Sequence, residues 1–280
     1  MKIIKTLVLL LSAFIAISLI SCDRGGEMTQ KIVQFPSITD VPASKWKALA
    51  KKKIYFGHRS VGNNIITGIV DLMKENDQIK LNIVETTDPD DIKGGFFAHS
   101  KVGENGNPRS KIEAFKGFVE EGIGGKADIA YFKFCFADIK AETNVQRVFN
   151  DYMSTVSRLT EKFPDTIFVH FTVPLGTTKT SWKTWIKKLM GKKEIWEYDH
   201  NVARNKFNDL LKKEYEGKEP IFDLAKIEST YADGRAETFT RNGHVFYSLV
   251  PDYTHDGAHL NELGRKKAAE QLLILLANLN

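Results

Sequence analysis

The chain has 280 residues, 42% apolar and 27% charged, with a formal net charge of +5. That is enough apolar material for an α/β domain with its own core, and too weak a positive balance to argue for nucleic-acid binding. Its two cysteines, Cys22 and Cys135, fall in no CxxC or Cys/His spacing, so neither a disulfide framework nor a zinc site is indicated and no cofactor is expected.

Lys2 and Lys5 precede an almost wholly apolar run from Leu7 to Ile20, the length of a signal-peptide core and short for a membrane span. The following Leu19-Ile20-Ser21-Cys22 resembles a bacterial lipoprotein cleavage box. The resemblance implies removal of residues 1–21, lipidation of Cys22 and anchorage in the cell envelope, on the periplasmic face or at the cell surface. The alternative is a signal anchor with an incidental Cys. Residues 22–40 are polar and read as a tether, leaving 41–280 as one domain. Loss of residues 1–21 removes Lys2 and Lys5 and no acid.

Within that domain apolar runs alternate with helical patterns, implying βαβ units and a parallel sheet. A strand is expected at 53–57, then a helix at 61–75 with Ile65, Ile66, Ile69, Val70 and Met73 on one face. A second strand at 79–85 leads into a long Gly-rich loop, 86–108. A helix at 109–121, a strand at 128–136 carrying Cys135, and a helix at 145–163 follow. The fourth strand, 166–173, ends at Pro174. An insertion at 175–195 carries Trp182, Trp185 and a basic cluster of Lys187, Lys188, Lys192 and Lys193. A helix at 196–214, a short strand at 220–224, a hairpin turning at Asn242-Gly243 and a helix at 261–279 complete the chain. The expected fold is a three-layer α/β/α sandwich on a flavodoxin-like, five-stranded parallel sheet.

Two separated blocks carry candidate chemistry. Gly57-His58-Arg59-Ser60 puts a Ser at the carboxyl end of the first strand, beside a helix N-terminus with backbone N–H donors. Asp256-Gly-Ala-His259 sits on a turn before the last helix. A Ser hydroxyl needs a base, and the base a partner on its other nitrogen, so Ser60, His259 and Asp256 suit a hydrolytic triad in the chain order Ser…Asp…His. Taken singly, Ser60 reads as a helix cap and the Asp-Gly pair as a turn. A metal site at His255 and His259 with Asp252, Asp256 and His58 is disfavoured because Gly257 breaks helical His-x-x-x-His geometry.

The Gly-x-x-Ser block and the terminal Asp-x-x-His block, followed by Leu260-Asn261-x-x-Gly264, together resemble the SGNH (GDSL-type) hydrolase family over residues 50–280. The resemblance implies Ser60 as nucleophile, His259 as base and Asp256 as its partner. It also implies an oxyanion Gly after the second strand. Gly94, Gly95, Gly103 and Gly106 lie there, with Gly103 favoured. The family's Asn at the end of the third strand is missing, since that place reads Phe134-Cys-Phe-Ala-Asp138; Asn63 or Asn64 could substitute. His58 could touch substrate, orient a water, pair with Asp138 or be a core residue. His99 could line the site, and Arg59 could bind an anion or face solvent.

The resulting expectation is an exported, lipid-anchored, monomeric esterase acting on acyl groups, acetyl above all, of a carbohydrate or another small ester, without nucleic-acid partners. Trp182, Trp185 and Trp196 would suit stacking on sugars, though Trp at helical spacing also suits a core. The alternatives are a glycan-binding lipoprotein with a weakened site and a phospholipid-directed hydrolase.

Overall fold

A computed structural model describes residues 32–88, 92–122, 126–178 and 196–279. Cys22, Trp182, Trp185 and the basic cluster at 187–193 lie outside the described residues, as does the side chain of Trp196.

After a 3-10 turn at Ile38–Asp40, helix α1 (Ala43–Leu49) leads to strand β1 (Lys53–His58) and helix α2 (Val61–Glu75). Strands β2 (Ile83–Glu85) and β3 (Phe96–Lys101) precede helix α3 (Pro108–Glu121). Then come β4 (Ile129–Phe132), α4 (Val145–Lys162), β5 (Ile167–Phe168) and β6 (His170–Phe171). Helix α5 (Trp196–Tyr215), β7 (Ile221–Phe222), α6 (Leu224–Glu228), the hairpin β8 (Thr238–Arg241)–β9 (His244–Tyr247) and α7 (Glu262–Asn278) complete the order.

Five strands form one parallel sheet in the order β2-β3-β1-β4-β5. Both faces of this sheet are covered, which is why β1 is apolar nearly throughout rather than alternating. Ile54 and Phe56 point into a core with Trp46 and Leu49 of α1, Ile65 and Ile69 of α2, and Leu272 and Leu273 of α7. Tyr55 points the other way, among Phe115 of α3, Phe149 and Tyr152 of α4, and Phe207 of α5. Each fully buried side chain of this kind is worth about 1.5–3 kcal/mol over leaving it exposed.

The strands differ from the sequence reading in particular places. The expected Gly-rich loop contains β3, which pairs with β1 over its whole length; its six residues are hidden between the Gly94-Gly95 and Gly103 breaks. The expected strand at 79–85 shrinks to three edge residues, and that at 128–136 stops at Phe132 because Asp138 bonds back to the Cys135 N–H at 2.6 Å. The fourth strand changes neighbour at Val169: β5 pairs with β4, whereas β6 pairs with β7. Residues 32–40, expected in the tether, are packed on the domain. The Ile38 N–H donates to Glu270 at 2.9 Å and Gln271 to the Pro36 carbonyl at 2.9 Å.

Helix α2, which follows Ser60, packs closely on α7, which follows His259. A Cβ on Gly68 would lie 2.5 Å from the Arg265 carbonyl oxygen and 2.9 Å from the Ala269 methyl. Arg265 also donates to Asp71 at 2.8 and 3.1 Å across this contact. Gly68→Ala should gain about 1 kcal/mol of helix propensity yet lose about 1–3 kcal/mol net, because a backbone carbonyl cannot step aside. Urea unfolding checks this, and an unchanged midpoint would contradict it.

Candidate active site

The carboxyl ends of β1, β3 and β4 lie side by side: Gly57 is level with Ser100 and with Phe132. Ser60 follows β1 with φ 56° and ψ −112°, a backbone that costs a non-glycine residue about 1–3 kcal/mol. Its hydroxyl does not cap α2. It lies instead 2.5 Å from His259 Nε2. On the other side of the ring, His259 Nδ1 is 2.6 Å from Asp256 Oδ2. The structure thus brings the three candidate groups into one line of hydrogen bonds.

Local sequence explains how the loop holds this line. Asp256 Oδ1 accepts the N–H groups of Ala258 and His259 at 2.9 and 2.8 Å. Gly257 supplies a φ of 97° and donates to Thr254 Oγ1 at 2.9 Å. Asn261 caps α7 by accepting the Gly264 N–H at 3.0 Å. Gly264 itself is required because a Cβ would lie 2.7 Å from the Tyr253 carbonyl. Phe136 meets the His259 ring edge to face, centroids 5.4 Å apart. Partial burial pushes the Asp256 carboxyl up, but the His259 and Ala258 N–H groups and the imidazole outweigh it and bring it down to about 2.

The secondary candidates separate. Asn64 Oδ1 accepts the Leu260 N–H at 3.2 Å, bracing the His259 loop on α2, while Asn63 is exposed. Gly103 has φ 48°, and a Cβ there would lie 2.5 Å from the Lys111 nitrogen. Gly103 follows Val102, whose N–H donates to the His58 carbonyl at 3.2 Å, so it borders the Ser60 turn. Among the described residues, no protein acceptor takes the N–H of Ser60 or Gly103. Gly95 is used elsewhere, against the Ala50 carbonyl. Arg59 does not simply face solvent; its Nε donates to the Val102 carbonyl at 3.1 Å.

His58 is buried, not at the substrate face, and does not pair with Asp138. Its Nε2 is 3.1 Å from His99 Nδ1, and its Nδ1 finds no partner among the described residues. Burial, with His99, Lys133, Lys101 and Lys111 nearby, pushes His58 down to about 2.

Asp138 instead meets Lys111 at 2.9 Å, both side chains fully buried. Lys111 Nζ also lies 3.0 Å from Asn105 Oδ1 and 3.0 Å from Cys135 Sγ. Lys133 is likewise buried; its Nζ donates to the Phe134 carbonyl at 3.2 Å, and burial pushes its ammonium below the usual range. The sequence signal for this cluster is a Lys inside the apolar run Ala130–Phe136, and another at a core-facing position of α3. Among the described residues, no group of three or more His, Cys, Asp or Glu gathers to hold a metal.

No protein-family model matches the chain, and no curated protein does. Solved structures do. A Streptococcus pneumonia protein provisionally described as a platelet activating factor is 12% identical, covering 84% of this chain and 90% of its own, at TM-score 0.49. A carbohydrate esterase family 3 structure from Talaromyces cellulolyticus is 13% identical, with 81% and 98% covered, at TM-score 0.44. A Desulfitobacterium hafniense protein, provisionally a lipolytic protein of the G-D-S-L family, is 10% identical, with 80% and 99% covered, at TM-score 0.43. Likenesses this distant carry no argument about activity, so the functional reading rests on the site's own geometry.

Because His58 is held neutral in the fold but titrates near 6.5 when unfolded, the unfolded chain binds more protons between about pH 2 and 6.5. Stability should therefore rise with pH across that window and level off above it, by up to about 1.4 kcal/mol per pH unit for this one group. Urea midpoints at pH 5, 6 and 7 test this: His58→Gln should flatten the slope, and an unaltered slope would contradict the assignment.

Proposed function

We propose that the protein is a serine esterase, exported and lipid-anchored at Cys22, that removes acyl groups, acetyl above all, from a carbohydrate. The observation that carries the reaction class is the continuous Ser60–His259–Asp256 line. Ser60 Oγ attacks the ester carbonyl while His259 Nε2 takes its proton. Asp256, ionised above about pH 2, holds the other ring nitrogen and offsets the imidazolium charge that forms. The developing oxyanion is met by the Ser60 N–H, at the positive end of α2, and by the Gly103 N–H on the turn after β3. His259 then returns its proton to the departing alcohol, and water, activated by the same imidazole, releases the acyl group.

The His259 and Asp256 side chains are 44% and 56% exposed. A site this open admits an ester carried on a bulky polymer, which supports a carbohydrate rather than an engulfed small molecule. Export and anchorage rest on the Leu19–Cys22 segment, and the choice of acetyl rests on the family resemblance.

Covalent labelling of the purified protein with a fluorophosphonate probe tests the reaction class. Wild type should be labelled at Ser60, and Ser60→Ala and His259→Ala should not. A panel of acetylated sugars then tests the substrate. Absence of labelling in folded wild type would favour the glycan-binding reading.

Asp256→Asn should keep the fold but let the ring adopt the wrong tautomer, lowering kcat by about 10⁴. Steady-state kinetics on the best ester of the panel would show it, and a loss under tenfold would contradict the role given to Asp256.

A further inference from the structure

Past the end of β4, Phe134-Cys-Phe-Ala-Asp138 offers no side-chain amide to an oxyanion. The Cys135 N–H is spent on Asp138 Oδ2 at 2.6 Å, and the neighbouring Gly106 N–H on Asp138 Oδ1 at 2.7 Å. Asp138 in turn is neutralised by Lys111. Of the two Asn residues on α2, Asn64 braces the His259 loop through its carbonyl oxygen, which accepts the Leu260 N–H and leaves its amide N–H₂ as a second candidate donor. A site that lacks one oxyanion donor loses about 10²–10³ in rate, so a replacement from another element has chemical value.

We propose that Asn105, on the turn after β3, is that replacement; the inference rests on the esterase reading. The buried Lys111 ammonium can only donate, so the Asn105 oxygen must face it at 3.0 Å and the amide N–H₂ must point away from it. No acceptor among the described residues takes those hydrogens.

The same turn carries Gly103, whose N–H is the backbone candidate, two residues earlier. Contacts tie the turn to the nucleophile. Lys111 Nζ is 3.0 Å from Cys135 Sγ, and that sulfur is 3.5 Å from the carbonyl of Arg59, the residue before Ser60. Arg59 reaches back to the Val102 carbonyl. The turn is also rigid. Glu104 N–H donates to Ser110 Oγ at 2.8 Å, Ser110 Oγ to the Asn107 carbonyl at 2.8 Å, and Ser110 N–H to Asn107 Oδ1 at 3.1 Å. A donor aimed by a buried ion pair on a rigid turn is preorganised, as oxyanion stabilisation requires. The Lys111–Asp138 pair thereby acts through Asn105, as a positioning device.

The test compares wild type, Asn105→Ala and Asn105→Asp, all full length. Asp has the shape of Asn and keeps an acceptor for Lys111, but it cannot donate. Both variants should lose about 10²–10³ in kcat with KM little changed. Both should react correspondingly more slowly with a fluorophosphonate and bind a boronic acid, which forms a tetrahedral adduct on Ser60, more weakly by a similar factor. A merely structural Asn105 would leave Asn105→Asp at the wild-type rate, and that result would overturn the inference. So would a loss in Asn63→Ala with none in the Asn105 variants. Wild type that neither labels nor hydrolyses any ester overturns the esterase reading and this inference with it. Labelling of wild type and both variants at one rate overturns this inference alone.

Discussion

The packing of α2 on α7 is the constraint on which the site depends. Ser60 and His259 lie at opposite ends of the chain's folded part, and each is rigidly joined to the first turn of one of these helices. Gly68 lets the two backbones approach until a single methyl group would not fit. The Arg265–Asp71 pair and the Asn64–Leu260 bond then fix their relative height. A hydrogen bond of 2.5 Å between Ser60 and His259 is the result of that packing. An interior as dense as a crystal transmits such a constraint without slack.

Strain and charge are arranged around the same point. Ser60 holds a backbone conformation that α2 would not choose for it, which lifts its hydroxyl out of the cap position and toward the imidazole. The cost is met by the apolar cores on either side of β1. Asp256 is kept ionised by two backbone N–H groups as well as by the imidazole, so its charge does not depend on His259 alone. Beneath the site, Lys111, Asp138, Lys133 and Cys135 form a buried polar cluster in which the ammonium of Lys111 meets three acceptors. Such a cluster is costly unless it is satisfied, and its outward end is Asn105.

Much of this was legible in the sequence because local signals and global fold agree. The strand–Gly–x–x–Ser block, the Asp-x-x-His turn and the Asn261–Gly264 cap each reflect backbone demands that only a few residues meet, so the three central groups and the parallel sheet could be named in advance. The rest was hidden for physical reasons. Strand β3 carries only six residues inside a glycine-rich stretch, and its pairing with β1 comes from tertiary contact rather than from its own pattern. Residues 32–40 read as a polar tether because their anchorage is to two side chains near the far end of the chain, Glu270 and Gln271. His58 beside the nucleophile read equally as a site or a core residue, and strand alternation turns it into the core beside Phe56, with ring centroids 4.6 Å apart. Asn105 gave no signal of its own, since its orientation is set by Lys111, a residue of another element.

If Ser60 and His259 act as one unit, removing either disables the other, and their losses cannot add. The most direct measurement is therefore a double-mutant cycle on kcat/KM with Ser60→Ala, His259→Ala and the two combined, using an ester that wild type hydrolyses. The account predicts that the double variant is no slower than the worse single variant, each falling to the residual rate left by the oxyanion donors. Losses that multiply in the double variant, or turnover near the wild-type rate in Ser60→Ala, would contradict it.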